Sequence, residues 1–470
     1  MCGIAGFWGR VETNDGALLL LATMESALKH RGPDDSGTWF DASSGVGFAH
    51  RRLAIVDLSP LGRQPMHSAS GRYTICYNGE VYNFGAIRAE LEREGVGFRG
   101  HSDTEVMLAA IERWGLDAAV ERFVGMFAFA LWDAHEQALF LVRDRIGVKP
   151  VYFGVSKGVL LFASELKALC AHPAFDRSID RDALAIYLRL GYIPAPCTIY
   201  RGIRKQQPGT IVRLRRDGDG WEVTDRPYWS ARSIAEKGAR KPLHLADDEA
   251  IQQLDTLLRE AVRLRMIADV PLGAFLSGGI DSSTVVALMQ AQSDRPVRTF
   301  SIGFAEAEYN EAPYARAVAH HLGTDHTELI LTPGEALAVT SSLAATDAMR
   351  RPLRSGNGSV GRRRASVDLR RGRFAPRRTH SWMPASAGPL HSFAATGTFR
   401  RPCARPTDCA NWRPCSTATR PRSSTGAPSH SCRTRRRLWW AAPNCAPRST
   451  TRPAGPRCPR STATSCIWTW

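Results

Sequence analysis

Two stretches of the sequence place reactive groups at spacings that chemistry can use. The first is Cys2, which becomes the terminal residue if Met1 is removed. A free α-amino group titrates at about pH 7.7–8.0, close to a thiol, so a terminal cysteine supplies nucleophile and base in one residue. The bland reading of a lone cysteine there is an inert side chain. The second is Ser277-Gly278-Gly279-Ile280-Asp281-Ser282-Ser283, which follows an apolar strand-like run and opens a helical one. Its glycines let backbone N–H groups and the helix N-terminus approach a phosphate. Ser277, Ser282 and Ser283 add hydroxyls, and Asp281 can cap the helix or help hold Mg²⁺. The loop has neither the lysine of a Walker A motif nor a G-x-G-x-x-G pattern, which excludes a P-loop nucleotidase and a Rossmann dinucleotide site. A Ser/Gly turn with an aspartate cap is the plain alternative.

The elements that must hold these groups fall into two patterns. Through about residue 200, short strands and helices are mixed. Phe48 to His50 and Tyr73 to Cys76 are strand-like, Phe84 to Glu94 and Thr104 to Trp114 have helical spacing, and Met126 to Trp132 with Ala138 to Val142 reads as a hairpin. This mixture predicts an α+β domain over residues 2–200. Residues 201–246 read as a linker region with a turn at 216–220. An amphipathic helix from Asp247 to Met266, with Ile251, Leu254, Leu258, Ala261 and Val262 on its apolar face, opens a further domain, 247–349. There, strands at Ala274 to Leu276, Thr299 to Ile302 and Thr327 to Leu331 alternate with helices at Asp281 to Gln292 and Pro313 to Leu322. That order predicts a parallel, doubly wound sheet.

The chain has 470 residues and a net charge of +17, which suggests a nucleic-acid binder until the charge is located. Of the 62 Lys and Arg, 25 lie in residues 350–470 against two acids there, so the first 349 residues carry a net −6. The same terminal stretch holds seven of the 11 cysteines and only seven Leu, Ile and Val, too few branched aliphatics for a core. No apolar run approaches the roughly 18 residues of a membrane span. Met1-Cys2-Gly3-Ile4 lacks the charge of a signal peptide. Cys2, Cys76, Cys170 and Cys197 have neither metal-ligand nor disulfide spacing. The expected location is the cytoplasm.

Five segments, taken together, go further than any of them alone. Met1-Cys2-Gly3-Ile4-Ala5-Gly6 is followed by Arg31-Gly32-Pro33-Asp34, His50-Arg51-Arg52-Leu53-Ala54-Ile55-Val56-Asp57, Tyr77-Asn78-Gly79-Glu80-Val81-Tyr82-Asn83 and Ser102-Asp103-Thr104-Glu105. Their order and approximate spacing resemble the class II glutamine amidotransferases, over about the first 190 residues. The resemblance implies an N-terminal-nucleophile sandwich of two antiparallel sheets between helical layers (αββα), with Cys2 attacking the side-chain amide of glutamine. Arg52 would then pair with the α-carboxylate and Asp103 with the α-ammonium. Asn78 and the N–H of Gly79 would donate to the oxyanion. Glu80 and the backbone of Ile55 and Val56 would complete the pocket. Singly, Arg52 reads as a surface ion pair, Asn78-Gly79 as a type I′ turn and Asp103 as a helix cap. Arg51 reads as a solvated surface charge.

The Ser/Gly loop resembles that of ATP pyrophosphatases. With Asp269-Val270-Pro271-Leu272-Gly273-Ala274-Phe275-Leu276, Ser301-Ile302-Gly303-Phe304, Tyr309-Asn310-Glu311 and His321-Leu322-Gly323-Thr324-Asp325-His326, it resembles the synthetase half of glutamine-dependent asparagine synthetases. The resemblance implies an α/β parallel-sheet domain that takes Mg-ATP, with Leu276 and Ile302 lining the nucleotide pocket alongside Ser277, Gly278, Gly279, Asp281, Ser282 and Ser283. It breaks near residue 350. The family's second ATP loop, Ser-Gly-(Asp/Glu)-Gly-x-Asp-Glu, does not occur, so the domain is expected to be truncated. Residues 350–470 read as a product of a shifted reading frame or as a disordered basic tail, without a recognisable fold. Arg350-Arg351-Pro352-Leu353-Arg354 can be encoded so that the offset frame reads Asp-Asp-Pro-Phe-Ala, which favours the shift.

The expected function is asparagine synthesis. Glutamine would be hydrolysed to ammonia, and ATP would adenylate aspartate, giving asparagine, AMP and pyrophosphate. Another carboxylate acceptor on the same architecture, or glutaminase activity alone, is the alternative. Glutamine, aspartate and ATP are the expected partners, with Mg²⁺ as cofactor. Neither a membrane nor a nucleic acid is expected, and a homodimer is left open.

Overall fold

The computed structural model describes residues 1–343 and three short strands, Val367–Asp368, Arg373–Phe374 and Cys466–Trp468. The chain divides into two compact units: Met1–Gly361 with Ala463–Trp470, and Arg362–Thr462. Of the second unit, only the antiparallel pair Val367–Asp368 and Arg373–Phe374 is described. Apart from the short strands, the frame-shift or basic-tail reading of 350–470 lies outside the described residues.

The first unit begins with two facing six-stranded sheets. One contains β1 (Gly3–Trp8), β2 (Asp35–Asp41) and β3 (Val46–Arg52), joined by β8 (Tyr152–Ser156), β9 (Val159–Ala163) and β10 (Ile203–Lys205), in the order β10-β8-β9-β1-β3-β2. The other contains β4 (Met66–His67), β5 (Tyr73–Val81), β6 (Gly125–Asp133) and β7 (Ala138–Arg143), with β11 (Thr210–Asp217) and β12 (Gly220–Pro227), in the order β12-β11-β7-β6-β5-β4. All pairings within both sheets are antiparallel.

The layers follow from the two-residue period of a strand. Along β1, Ile4 and Trp8 join Phe48, Trp132, Leu141, Phe162 and Val212 between the sheets. Ala5 and Phe7 point the other way, against Ala17, Leu21 and Met24 of α1 (Asn14–Ser26). The second sheet packs its outer face, including Tyr77, Phe127 and Phe129, on α2 (Phe84–Arg93), α3 (Asp103–Trp114) and α4 (Leu116–Arg122). α5 (Leu166–Cys170) lies with α1. The order of layers is therefore helix, sheet, sheet, helix, as expected for residues 2–200.

The linker expectation for 201–246 is corrected. β10 to β12 extend both sheets, with Ile211, Val212 and Leu214 buried and Arg213 between them half-buried. α6 (Arg181–Leu190) precedes these strands, and the segment after Pro227, with α7 (Ala231–Arg240), separates the sandwich from the next domain.

That domain opens with α8 (Asp247–Leu264) and continues as β13 (Leu272–Phe275), α9 (Ile280–Gln290), β14 (Arg298–Phe304), α10 (Ala312–Leu322) and β15 (Asp325–Leu331). The strands are parallel, in the order β15-β14-β13, with Cys466–Trp468 parallel to β13 at the other edge. Each crossover steps in the same direction, and right-handed connections then put both helices on one face. Val262, Val286, Met289, Ala315 and Ala319 close that face as one cluster. The doubly wound expectation is thus met on one side only among the described residues. Phe275 and Leu329 remain exposed, and so do Ile251, Leu254 and Leu258 of α8. No described helix is long and apolar enough to cross a membrane.

The inter-sheet layer should dominate the sandwich's stability. Phe48 is fully buried, with ring centroids 5.5 Å from Phe162 and 5.4 Å from Trp39. Phe48→Ala is expected to cost about 3–5 kcal/mol in urea unfolding; a loss below ~1 kcal/mol would show that the two sheets close over the gap.

Candidate active site

The alternation that builds the core also builds the site. β1 and β3 pair Gly3 with Arg51 and Ile4 with His50. Val46 and Phe48 face the other sheet, so His50 and Arg52 continue that face toward one end. Cys2 has the parity of Ile4 and joins them. In β5, Cys76 faces inward, and Asn78 and Glu80 share its parity. Cys2, His50, Arg52, Asn78 and Glu80 therefore form the polar end of the inter-sheet layer.

Cys2 is held from two sides. Leu53 N–H lies 3.4 Å from Sγ and Leu53 O lies 3.7 Å away. Arg31 Nε donates to the Cys2 carbonyl at 2.9 Å while its Nη1 pairs with Glu165 at 2.6 Å, both side chains being buried. Burial pushes the thiol up, against the Leu53 backbone bond and nearby positive charge from Lys149. Lys149 is itself buried. Burial pulls its ammonium down, and burial followed by the charge of Asp103 pushes Glu80 up; each of the pair partly restores the other.

Asn78 does not sit in a hairpin turn. It lies inside β5, fully buried, and neither its Nδ2 nor its Oδ1 has a hydrogen-bond partner among the described residues. Gly79 faces Phe127 on β6, and Phe127 bonds Asp144 through both its N–H and its carbonyl. The pair is therefore a non-hydrogen-bonded one, and the N–H of Gly79 turns to the free side of β5. The N–H groups two residues either way confirm the direction: Tyr77 donates to Gln64 Oε1 at 2.6 Å and Val81 to Asp103 Oδ2 at 3.0 Å. Only glycine fits at 79, because a Cβ would run into the Met126 carbonyl.

Asp103 is the first residue of α3, and the cap is Ser102, whose Oγ accepts from Glu105 N–H. The Asp103 carboxylate turns inward to Tyr77 OH at 2.8 Å, and burial raises it against these hydrogen bonds. Arg52 is no surface ion pair either. It is 6% exposed, and its guanidinium donates to the carbonyls of Ser59 at 3.0 Å and of Asp57. Arg51, of opposite parity, meets Glu25 of α1 at 2.7 Å in a half-buried pair, which corrects its reading as a solvated charge. The Ile55 carbonyl accepts from Asp269 N–H at 2.9 Å. Arg31, Glu165, Lys149 and Asp57 were not singled out from the sequence, although Arg31 and Asp57 stand within quoted motifs.

In the second domain Ser277 to Gly279 link β13 to α9, as expected. Gly278 has φ +76°, and a Cβ there would lie 2.6 Å from Tyr314 Cβ, so this turn requires glycine. Ser277 and Ser282 hydroxyls meet at 2.9 Å, Gly279 N–H points to Ser277 Oγ, and Ser283 Oγ is buried without a partner among the described residues. Asp281 stands exposed in the first turn of α9. Leu276 is sealed in the core, with its N–H bonded to Phe300 O. Ile302 alternates with the buried Thr299 and Ser301 and faces away from the helices, so the two side chains do not share a pocket.

Residues 1–229 match the glutamine amidotransferase domain family, and residues 253–354 match the asparagine synthase family. The chain therefore carries a glutamine amidotransferase domain followed by a segment of the asparagine synthase family. It is 35% identical over 339 residues to asparagine synthetase 1 of Bacillus subtilis, covering 71% of this chain and 51% of that one. A putative asparagine synthetase of Methanocaldococcus jannaschii is 36% identical, covering 69% and 64%. An amidase of Gibberella zeae is 32% identical, covering 69% and 50%. The chain thus spans between half and 64% of the length of these relatives.

His50 makes part of this site sensitive to pH. Burial drives its imidazole down to about 4, against the Tyr77 carbonyl 3.0 Å from Nε2. Between its unfolded value of 6.5 and about 4, the unfolded chain binds a proton that the native chain does not. Stability should therefore drop as the pH is lowered through that window, by ~1.4 kcal/mol per unit for this one proton. Urea titrations of His50→Gln should show the slope reduced by about one proton; an unchanged slope would mean His50 titrates normally. Asn78→Leu, by removing two unpaired buried polar atoms, should raise stability by about 1–3 kcal/mol in the same assay.

Proposed function

We propose that this chain hydrolyses glutamine at Cys2 and that its second domain belongs to a machinery using ATP to turn aspartate into asparagine. One observation carries the first half: an unpartnered Asn78 amide and the outward N–H of Gly79 flank the end of the inter-sheet layer where Cys2 lies. Groups left unpaired when buried cost stability unless a ligand uses them. The unpaired Asn78 amide beside the outward N–H of Gly79 fits the oxyanion that forms when a thiol attacks an amide.

Removal of Met1 frees the Cys2 amine as base for its own thiol. The thiolate attacks the glutamine amide carbon, and Asn78 and Gly79 hold the developing oxyanion. The amine then returns the proton to the departing ammonia, and water releases glutamate from the thioester. Arg52 meets the α-carboxylate, Asp103 and Glu80 the α-ammonium end, and the Ile55 and Val56 backbone borders the ligand. Arg31, tied to Glu165, fixes the Cys2 backbone during attack.

In the second domain, the Ser277 to Ser283 loop would cradle the ATP pyrophosphate, with the carbonyl of Leu276 and the side chain of Ile302 beside the nucleotide. The partnerless Ser283 hydroxyl and the exposed Asp281 suit a Mg-nucleotide, and Asp281 would hold the ion, which neutralises phosphate charge when bound. A second reading on the same architecture is the same ammonia delivered to a carboxylate other than aspartate.

Cys2→Ala is expected to reduce glutamate release from glutamine to background, and a chain retaining Met1 should be similarly inactive. Release at the parent rate by the Ala variant would remove Cys2 from the chemistry. AMP formation that depends on aspartate, followed with glutamine and ATP present, separates the two acceptor readings.

A further inference from the structure

The loop that presents carbonyls to Arg52 is fixed by a residue from outside its own domain. Asp269 precedes β13 in the second domain, and its N–H donates to Ile55 O at 2.9 Å. Its Oδ2 accepts the Asp57 N–H at 2.7 Å and lies 2.9 Å from His101 Nε2. The two backbone bonds bracket Val56, so one residue grips the segment from both ends.

Asp57 is the pivot. It is fully buried and holds φ +57°, a left-handed conformation that aspartate adopts with the help of local side-chain hydrogen bonds. Its Oδ1 accepts from Ser59 N–H at 3.1 Å and from Ser59 Oγ at 2.5 Å, and its Oδ2 accepts from His101 N–H at 3.0 Å. With side chain and amide both committed, the carbonyl has one direction left, and it meets Arg52 Nη2. Ser59, aligned by the same carboxylate, gives its carbonyl to Nη1 at 3.0 Å.

We propose that Asp269 is a positioning residue for the amino-acid pocket of the first domain: through the Asp57 amide and the Ile55 carbonyl it sets the loop that orients the Arg52 guanidinium toward an α-carboxylate. This rests on the reading of the Cys2 site as a glutaminase. It makes that pocket complete only when the second domain is in place. Asp269 reaches neither Cys2 nor Asn78, so its loss should weaken ligand binding and leave the chemical step alone.

The test uses the full chain and two variants, with glutamine hydrolysis and calorimetric binding of L-glutamate, which carries the same α-carboxylate. Asp269→Ala should raise the KM for glutamine about tenfold with kcat within twofold, and raise the Kd for glutamate by the same factor. Alkylation of Cys2 by iodoacetamide, which has no α-carboxylate, and the thermal midpoint should stay at parent values. Asp269→Asn, whose amide oxygen can accept the same bonds, should keep KM within about twofold. A parental KM in Asp269→Ala, or a fall in kcat at constant KM, overturns the proposal. So does an equal loss in both variants accompanied by altered alkylation and melting. If the parent chain binds glutamate without hydrolysing glutamine and Asp269→Ala weakens that binding, the positioning role stands and the glutaminase reading falls. A parent that binds neither amino acid overturns both.

Discussion

The register that sets Ile4 opposite His50 is the constraint from which the first domain's chemistry follows. It decides which of two adjacent arginines enters the sandwich and which leaves it. Arg52 follows Phe48 inward, and Arg51 goes outward to Glu25 on α1. A slip of one residue would exchange them, exposing the core face and pulling the guanidinium from its carbonyls. Apolar packing between the sheets thus holds a polar arrangement at their end in place, without any bond made for that purpose.

That end of the layer is costly by ordinary standards. A buried lysine, a raised carboxyl and an amide without partners lie where the layer above has Phe and Trp. Such groups persist in a core only when the surrounding structure over-determines them. Here it does so from several directions: Arg31 and Glu165 on the Cys2 backbone, Tyr77 and Val81 on Asp103, and Ser59 with His101 on Asp57. Asp57 stays below the usual carboxylate range although burial pulls it up, because the hydrogen bonds from Ser59 and the His101 amide outweigh that pull.

Sequence patterns made the strands and helices of the sandwich legible, because its amphipathic periods are regular and its motif residues stand close together in the chain. β11 and β12 were read as a linker for a physical reason. β11 carries Arg213, Arg215 and Arg216 within its eight residues, and β12 is an edge strand exposed along most of its length. Charge on an edge protects against pairing with other chains, and it also erases the hydrophobic signal of a strand. The α8 pattern was real, yet of its predicted apolar face only Val262 is closely buried among the described residues. Periodicity reports that a face wants cover and says nothing of what covers it. The Asp269 contact, 212 positions from Asp57, left no local trace at all.

The two carbonyls that hold Arg52 are neutral acceptors. They fix the plane of the guanidinium and leave its formal charge uncancelled, unlike the carboxylates that meet Arg31 and Arg51. On the proposed reading, a pocket at Arg52 would act as an ion-exchanger in miniature, selecting on valence ahead of shape. An esterified or amidated amino acid would leave the cation without its counterion, whereas a free carboxylate would supply it. Discrimination between a free amino acid and the same residue inside a peptide would then follow from the fold itself, before any side chain of the ligand is sampled.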